Sequence, residues 1–202
     1  MPKTTPNGET RGEILRAALK RFAHCGYAAA SVADIVSDAR VTKPSLYYYF
    51  PSKAKLYQAL VDSAHDERHR LIREAMQRRG TVAERLVEIA VALFEFSLHN
   101  TDLMRLAFAT AFAAPGEMPE EMRDLTKRRR NYELVRSLVR EGQATGELDK
   151  SWDSDELAFS VYAQLNTHVM VHLVRPDCRP DRQTAERVVK LFLEGAARKR
   201  RH

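Results

Sequence analysis

The sequence predicts an all-α fold, with an N-terminal three-helix helix-turn-helix domain followed by a C-terminal helical domain. Three observations predict it: helix-capping residues recur along the chain, apolar residues keep spacings of three and four, and no alternating strand pattern survives beyond a few residues. The 202 residues are enough to bury a core without a metal or disulfide. With 44% hydrophobic and 30% charged residues, 8 Gly and 8 Pro, the composition excludes collagen-like, low-complexity and wholly disordered classes. Cys25 and Cys178 are too few for a disulfide framework or a four-thiolate zinc site, which suits a reducing cytoplasm.

The elements follow in order. Thr10 and Glu13 form a capping box that opens the first helix, which carries Ile14, Ala18 and Phe22 one turn apart. Gly26 followed by Tyr27 supplies its C-terminal stop. Ser31 and Asp34 open a short second helix with Val32, Ile35, Val36 and Ala39 inward, and a tight turn follows at Arg40-Val41. Thr42 caps a third helix over residues 43–50, with Pro44 in the first turn, where its missing N–H costs nothing. Pro51 ends it, and Ser52 caps a long fourth helix through Leu56, Leu60 and Ala64 toward Arg78-Arg79-Gly80. Five more helices are expected at about 81–99, 101–113, 119–141, 154–174 and 182–198, with Pro115-Gly116, Gly142 to Gly146 and residues 175–180 as loops.

Charge is segregated. Residues 1–55 hold nine Lys/Arg against four Asp/Glu, the tail Arg198-Lys199-Arg200-Arg201 is wholly basic, and the segment between carries a net −3. A basic N-terminal module on an acidic body is the footprint of a protein that meets a polyanion at one end. Within that module, two short helices joined by a tight turn place the third helix to enter a DNA major groove. Leu46 and Phe50 lie one turn apart and pack inward, which leaves Tyr47, Tyr48 and the Lys43 to Ser45 end outward. The first turns after Thr42 and Ser52 contain Lys43, Lys53 and Lys55 and no acid, although each cation there is unfavourable by about 0.3–1 kcal/mol. A phosphate would reverse that penalty.

The runs Ala30-Ser31-Val32-Ala33-Asp34-Ile35 and Val41-Thr42-Lys43-Pro44-Ser45-Leu46-Tyr47-Tyr48-Tyr49-Phe50-Pro51-Ser52-Lys53 resemble the N-terminal signature of TetR-family transcriptional regulators, over about residues 10–60. The resemblance implies a homodimer with a DNA-binding domain at 1–55, ordered from about residue 10, and a helical ligand-binding and dimerisation domain at 56–202. It places Thr42, Lys43, Pro44 and Ser45 at the groove, Tyr47 and Tyr48 on backbone phosphates, Ser31 capping onto phosphate, and Lys53 at the fourth-helix N-terminus. Two positions depart from the pattern. Arg40 stands where the turn usually has Gly, at a cost of roughly 1 kcal/mol if the site is left-handed, and Ala54 stands where an acid is common.

The body is read from pattern. The helix at 154–174 places Ala158, Val161, Tyr162, Leu165, Val169 and Leu173 on one broad face, and the helix at 182–198 places Ala185, Val188, Val189, Phe192 and Ala196 on another. Two such helices suit a dimeric four-helix bundle, with an internal core as the alternative. Ser160, Gln164 and His168 form a polar stripe that could face a cavity, and Phe94, Phe96, Met104, Phe108, Phe112 and Tyr132 supply the side chains that suit an apolar ligand. The expected ligand set is Phe94, Met104, Phe108, Phe112, Tyr132, Gln164 and His168. His65/His69 and His168/His172 have the i, i+4 spacing of shared metal ligands, but no Cys or third ligand accompanies either pair, so no metal or cofactor is expected.

The leading reading is a cytoplasmic, ligand-responsive DNA-binding regulator, a repressor released from a palindromic operator on duplex DNA by an unknown small-molecule inducer. The fourth helix, about 39 Å from Lys53 to Arg78, would carry the displacement. An enzyme is the first rival, without a Gly-rich phosphate loop, HExxH or nucleophile elbow to support it. A DNA-binding structural or adaptor dimer without an inducer is the second. No membrane span is expected, since polar residues interrupt the longest uncharged run, Leu157 to Val174, and the N-terminus lacks the apolar stretch of a secretory signal.

Overall fold

The computed structural model describes residues 6–114, 116–119, 122 and 126–196. Among the described residues it holds nine α-helices and no strand: α1 Pro6–Ala29, α2 Val32–Asp38, α3 Lys43–Tyr49, α4 Lys53–Met76, α5 Val82–His99, α6 Thr101–Phe112, α7 Thr126–Thr145, α8 Ser154–Val174 and α9 Arg182–Ala196. None of them is long and apolar enough to cross a membrane.

By packing, the chain divides into two units, residues 1–64 with 102–124 and residues 65–101 with 125–202. The motif-based division expected after residue 55 differs from this, because residues 53–64 of α4 and nearly all of α6 pack with the first unit.

In the first unit, α1 begins at Pro6, a turn before the Thr10 box expected to open it; Pro in a first turn loses no hydrogen bond. Gly26 breaks the helical run at φ 76°, ψ 175°, a conformation open to glycine. Ser31 and Thr42 cap α2 and α3, accepting from the amides of Ala33 at 3.1 Å and Ser45 at 3.3 Å. The core is built from Ile14, Ala18, Phe22, Ile35, Leu46, Phe50, Leu56 and Leu60, joined by Leu106 of α6. Tyr57 stands edge-on to Phe22 and Tyr27, with centroids 4.9 and 5.4 Å apart. Arg40, in the turn between α2 and α3, has φ 54°, the left-handed region in which a side chain is strained by about 1 kcal/mol or more.

In the second unit α5, α7, α8 and α9 pack on one another. The capping is local: Thr81 and Glu84 form a reciprocal box at α5, Asp153 accepts from the amides of Asp155 and Glu156 at α8, and Asp181 accepts from Thr184 at α9. Two expectations are corrected here. The helix expected over 119–141 runs instead over Thr126–Thr145, because Gly142 is a buried packing position rather than a loop residue. A Cβ there would lie 2.9 Å from Leu148 Cδ1 and 3.2 Å from Val82 Cγ1, so Gly lets these elements approach. The stop is Gly146, at φ 84°. The second correction concerns α8 and α9: Ala158, Val161, Leu165, Val169, Leu173, Ala185, Val188, Val189 and Phe192, the faces expected to pair, are buried inside this unit's own core. Phe159, Val174 and Leu191 are the most exposed apolar residues of the two helices, at 68%, 76% and 66%, with Met170 and Val171 partly outside as well.

Candidate nucleic-acid interface

The outward face of α3 follows from its spacing. Leu46 is fully buried and Phe50 nearly so, which turns Thr42, Lys43 and Pro44 into solvent with Tyr47 and Tyr48, while Ser45 is half-buried. Tyr48 is 75% exposed, although an aromatic ring in water forgoes its burial energy, and it rests edge-on against Tyr49 at 5.0 Å. Arg21 and Asp38 form a bidentate pair that ties α1 to the end of α2, and this hydrogen bonding lowers the Asp38 carboxyl. The acid nearest the turn is thus neutralised within the protein. Lys43 and Arg40 are exposed, and among the described residues no hydrogen bond or ion pair engages either side chain.

Lys53 has a different use from the phosphate role implied above. Its ammonium donates to the carbonyls of Tyr27 at 2.9 Å, Ala30 at 3.2 Å and Ala28 at 3.3 Å, and lies 4.4 Å from the Tyr27 ring centroid. Lysine has three protons to donate, and all three are taken. Ser31 likewise spends its hydroxyl oxygen on capping α2, and Lys55 donates to Gln58 Oε1 at 3.0 Å.

The residues expected to line a ligand pocket fall into both units. Met104, Phe108 and Phe112 belong to the first, where Met104 is buried and Phe112, 69% exposed, stacks on Phe108 at 6.4 Å. Phe94, Tyr132, Gln164 and His168 belong to the second. There the Phe94 and His168 rings meet at 5.9 Å, and Tyr132 packs on Tyr162 at 6.0 Å while donating to the Asp155 carbonyl. Gln164 parts from its stripe neighbour: with Ser160 it lines a surface groove of about 480 Å³ between α8 and α9, bordered by Trp152, Phe159, Leu191 and Phe192. Among the described residues, no three of His, Cys, Asp and Glu gather closely enough to hold a metal. His69 Nδ1 instead faces Asn131 Oδ1 at 3.2 Å, and His172 Nδ1 faces the Cys178 carbonyl at 3.1 Å.

One residue escaped sequence reasoning. Leu60, Ala64 and Ile72 form a buried row on α4 at intervals of four and eight, and Arg68 occupies the missing place in that row at 3% exposure. The signal was a charge at a core position.

A family model described as bacterial regulatory proteins of the tetR family matches residues 14–60, and one described as the tetracyclin repressor-like C-terminal domain matches residues 79–173. The chain is 31% identical over 122 residues to the HTH-type transcriptional activator FasR of Mycolicibacterium smegmatis, covering 60% of this chain and 56% of that protein's length. It is 27% identical over 183 residues to the HTH-type transcriptional regulator TtgR of Pseudomonas putida, covering 84% and 82%. Of solved structures, FadR from Bacillus subtilis in complex with stearoyl-CoA has a TM-score of 0.77 at 20% identity, covering 91% of this chain and 98% of that one. PfmR from Thermus thermophilus has 0.75 at 22%, covering 98% and 100%. With a helix-turn-helix at 14–60 and a helical body both matched in their proper order, the chain belongs to the TetR family of transcriptional regulators.

Proposed function

We propose that this regulator represses transcription by binding a palindromic operator as a homodimer, and that a small molecule taken up by the body lowers its affinity for DNA. The outward face of α3 carries the reading. Lys43, Tyr47 and Tyr48 are presented on a buried Leu46–Phe50 anchor within the basic segment, which is the arrangement of a helix that enters the major groove. In this reading Thr42, Lys43, Pro44 and Ser45 meet base edges, and Tyr47 and Tyr48 meet phosphates. Ser31 sets the start of α2 toward the backbone, and Lys53 holds the end of α1 in place.

The dimer face is formed by the outer sides of α8 and α9. Phe159, Val171, Val174 and Leu191 lie exposed there, and an apolar row on a helix already buried on its other side calls for a second cover. Of the ligand residues expected, Phe94, Tyr132, Gln164 and His168, which share one unit, remain the reading for the inducer. Because FadR of Bacillus subtilis was solved with stearoyl-CoA, acyl thioesters are the class to try first.

Selection of bound duplexes from a random pool, followed by gel shift and sedimentation, tests this. The expected product is a palindrome with half-sites about 34–36 Å apart, bound by a dimer and more weakly at 300 mM than at 50 mM salt. Release of that duplex by an acyl thioester is the second expected result. Binding by a monomer, or binding indifferent to salt, overturns the reading.

A further inference from the structure

Arg68 on α4 is 3% exposed, and its guanidinium has five N–H donors to satisfy. One of them, on Nη2, reaches Asn166 Oδ1 of α8 at 2.8 Å. Asn166 is held for this purpose, since its own amide donates to the Tyr162 carbonyl at 2.7 Å, which turns Oδ1 toward the arginine. No other hydrogen bond engages the guanidinium among the described residues, and no ion pair does. The acids beside it on α4 are committed elsewhere: Asp66 to Lys127 and Arg130 of α7, and Glu67 to Arg70. Its Nε and Nη1 each keep some accessible surface, because among the described residues the one buried side-chain polar atom left without a partner is Arg85 Nε.

A buried cation whose only partner is a neutral amide is poorly compensated, because one dipole replaces little of the hydration that burial removes. Nor can arginine escape by losing its proton. The neighbouring His65 imidazole offers it no negative charge: it is held neutral, with its pKa pushed down to about 4 by burial and then by Arg68 and Arg128. The position therefore lacks a counter-ion that the described chain does not supply.

We infer that Arg68 is the anchor for an anionic group on the ligand of this regulator, a carboxylate or a phosphate, with Asn166 as the residue that positions the guanidinium. The planar fork of arginine matches both anions bidentately. This rests on the reading that the body takes a ligand, and it adds that the ligand enters with a negative charge.

The test is thermal unfolding of the full chain at constant ionic strength, titrating acetate or inorganic phosphate against chloride. For the unsubstituted protein a rise of roughly 3–6 °C at tenfold excess over Kd is expected, growing with the logarithm of anion concentration and reached at lower concentration for whichever anion the site prefers. Arg68→Met is expected to melt as high as the parent or higher without added anion, because it removes an uncompensated buried charge, and to lose the anion-specific rise. Arg68→Gln keeps a donor for Asn166 and is expected to lose the rise too, so the result does not hang on one variant. An anion-blind parent overturns the inference, as do variants that keep the rise. Binding of duplex DNA by parent and variants in the same buffer is scored separately: if neither binds, the regulator reading has failed, whereas intact DNA binding with no anion response rejects only the role of Arg68.

Discussion

The ammonium of Lys53 joins the start of α4 to the last turn of α1, whose final carbonyls have no partner within their own helix. Replacing it with alanine returns three carbonyls to water and removes the charge over Tyr27, so Lys53→Ala is expected to lower stability by roughly 1.5–3 kcal/mol in urea unfolding. It is also expected to leave the salt slope of DNA binding unchanged. Unchanged stability with a slope reduced by about one would instead mark a phosphate contact. The caps at Ser31 and Thr42 were legible in the sequence because donor and acceptor lie two or three residues apart. Lys53 was not, since its partners lie 23 to 26 residues away and only the fold brings them together. At Arg40 the sequence posed a condition that the backbone answers with φ 54°. Arg40→Gly is expected to raise the melting temperature by about 2–4 °C, the shift that roughly 1 kcal/mol gives a chain this size, and a fall would show that the arginine stabilises the turn. His65 carries a pH dependence. Its folded pKa of about 4 lies below the ordinary histidine value, so between those two values the unfolded chain binds a proton that the folded chain refuses. Stability is therefore complete above about pH 6.5 and falls as pH drops toward 4, by about 2 kcal/mol at pH 5. Melting curves from pH 7 to 5 should show this slope, and His65→Gln should flatten it.

Among the elements, α7 shows where local rules stop. Glycine within a helical pattern usually marks an end, and alanine in its place usually gains up to about 1 kcal/mol in a helix interior. At Gly142 the sign is reversed. Leu148 and Val82, both buried, stand 2.9 and 3.2 Å from where the new Cβ would lie, so neither has free room to withdraw. Gly142→Ala is expected to destabilise by about 1–3 kcal/mol, the range for an added methyl in a filled core, and stabilisation would show the contact to be slack. The residue pattern around 142 does not announce this, since the turn after α7 must first bring Leu148 back onto Gly142 and Val82 lies sixty residues earlier. The helices bounded by strong local caps, α5 by Thr81 and α8 by Asp153, were placed from sequence within a residue for the same reason that α7 was not: their signals are confined to one turn. Arg68 belongs to this scale too, because its oddity shows only when Leu60, Ala64 and Ile72 are seen as one buried row.

At the scale of the whole molecule, charge segregation could be read from composition, since it needs no geometry. The partner face could not. α8 carries apolar residues on two sides, and periodicity alone does not say which side a chain keeps for its own core. The folded unit decides it by packing Ala158, Val161, Leu165 and Val169 inward, which leaves Phe159, Val171 and Val174 outside, with Phe159 beside the exposed Leu191 of α9. A charge placed on that outer face separates two possibilities. Because Phe159 and Leu191 are 68% and 66% exposed, Phe159→Glu and Leu191→Glu are expected to leave the fold of each chain within about 0.5 kcal/mol. If the face pairs two chains, like charges then meet in an apolar contact and sedimentation gives monomers. DNA binding reports the same event independently. Two linked heads reach a palindrome at a high effective concentration, so loss of the dimer is expected to weaken palindrome binding by roughly 10²–10⁴-fold while binding to a single half-site changes little. Variants that remain dimeric and hold the palindrome as before would place the interface on another face.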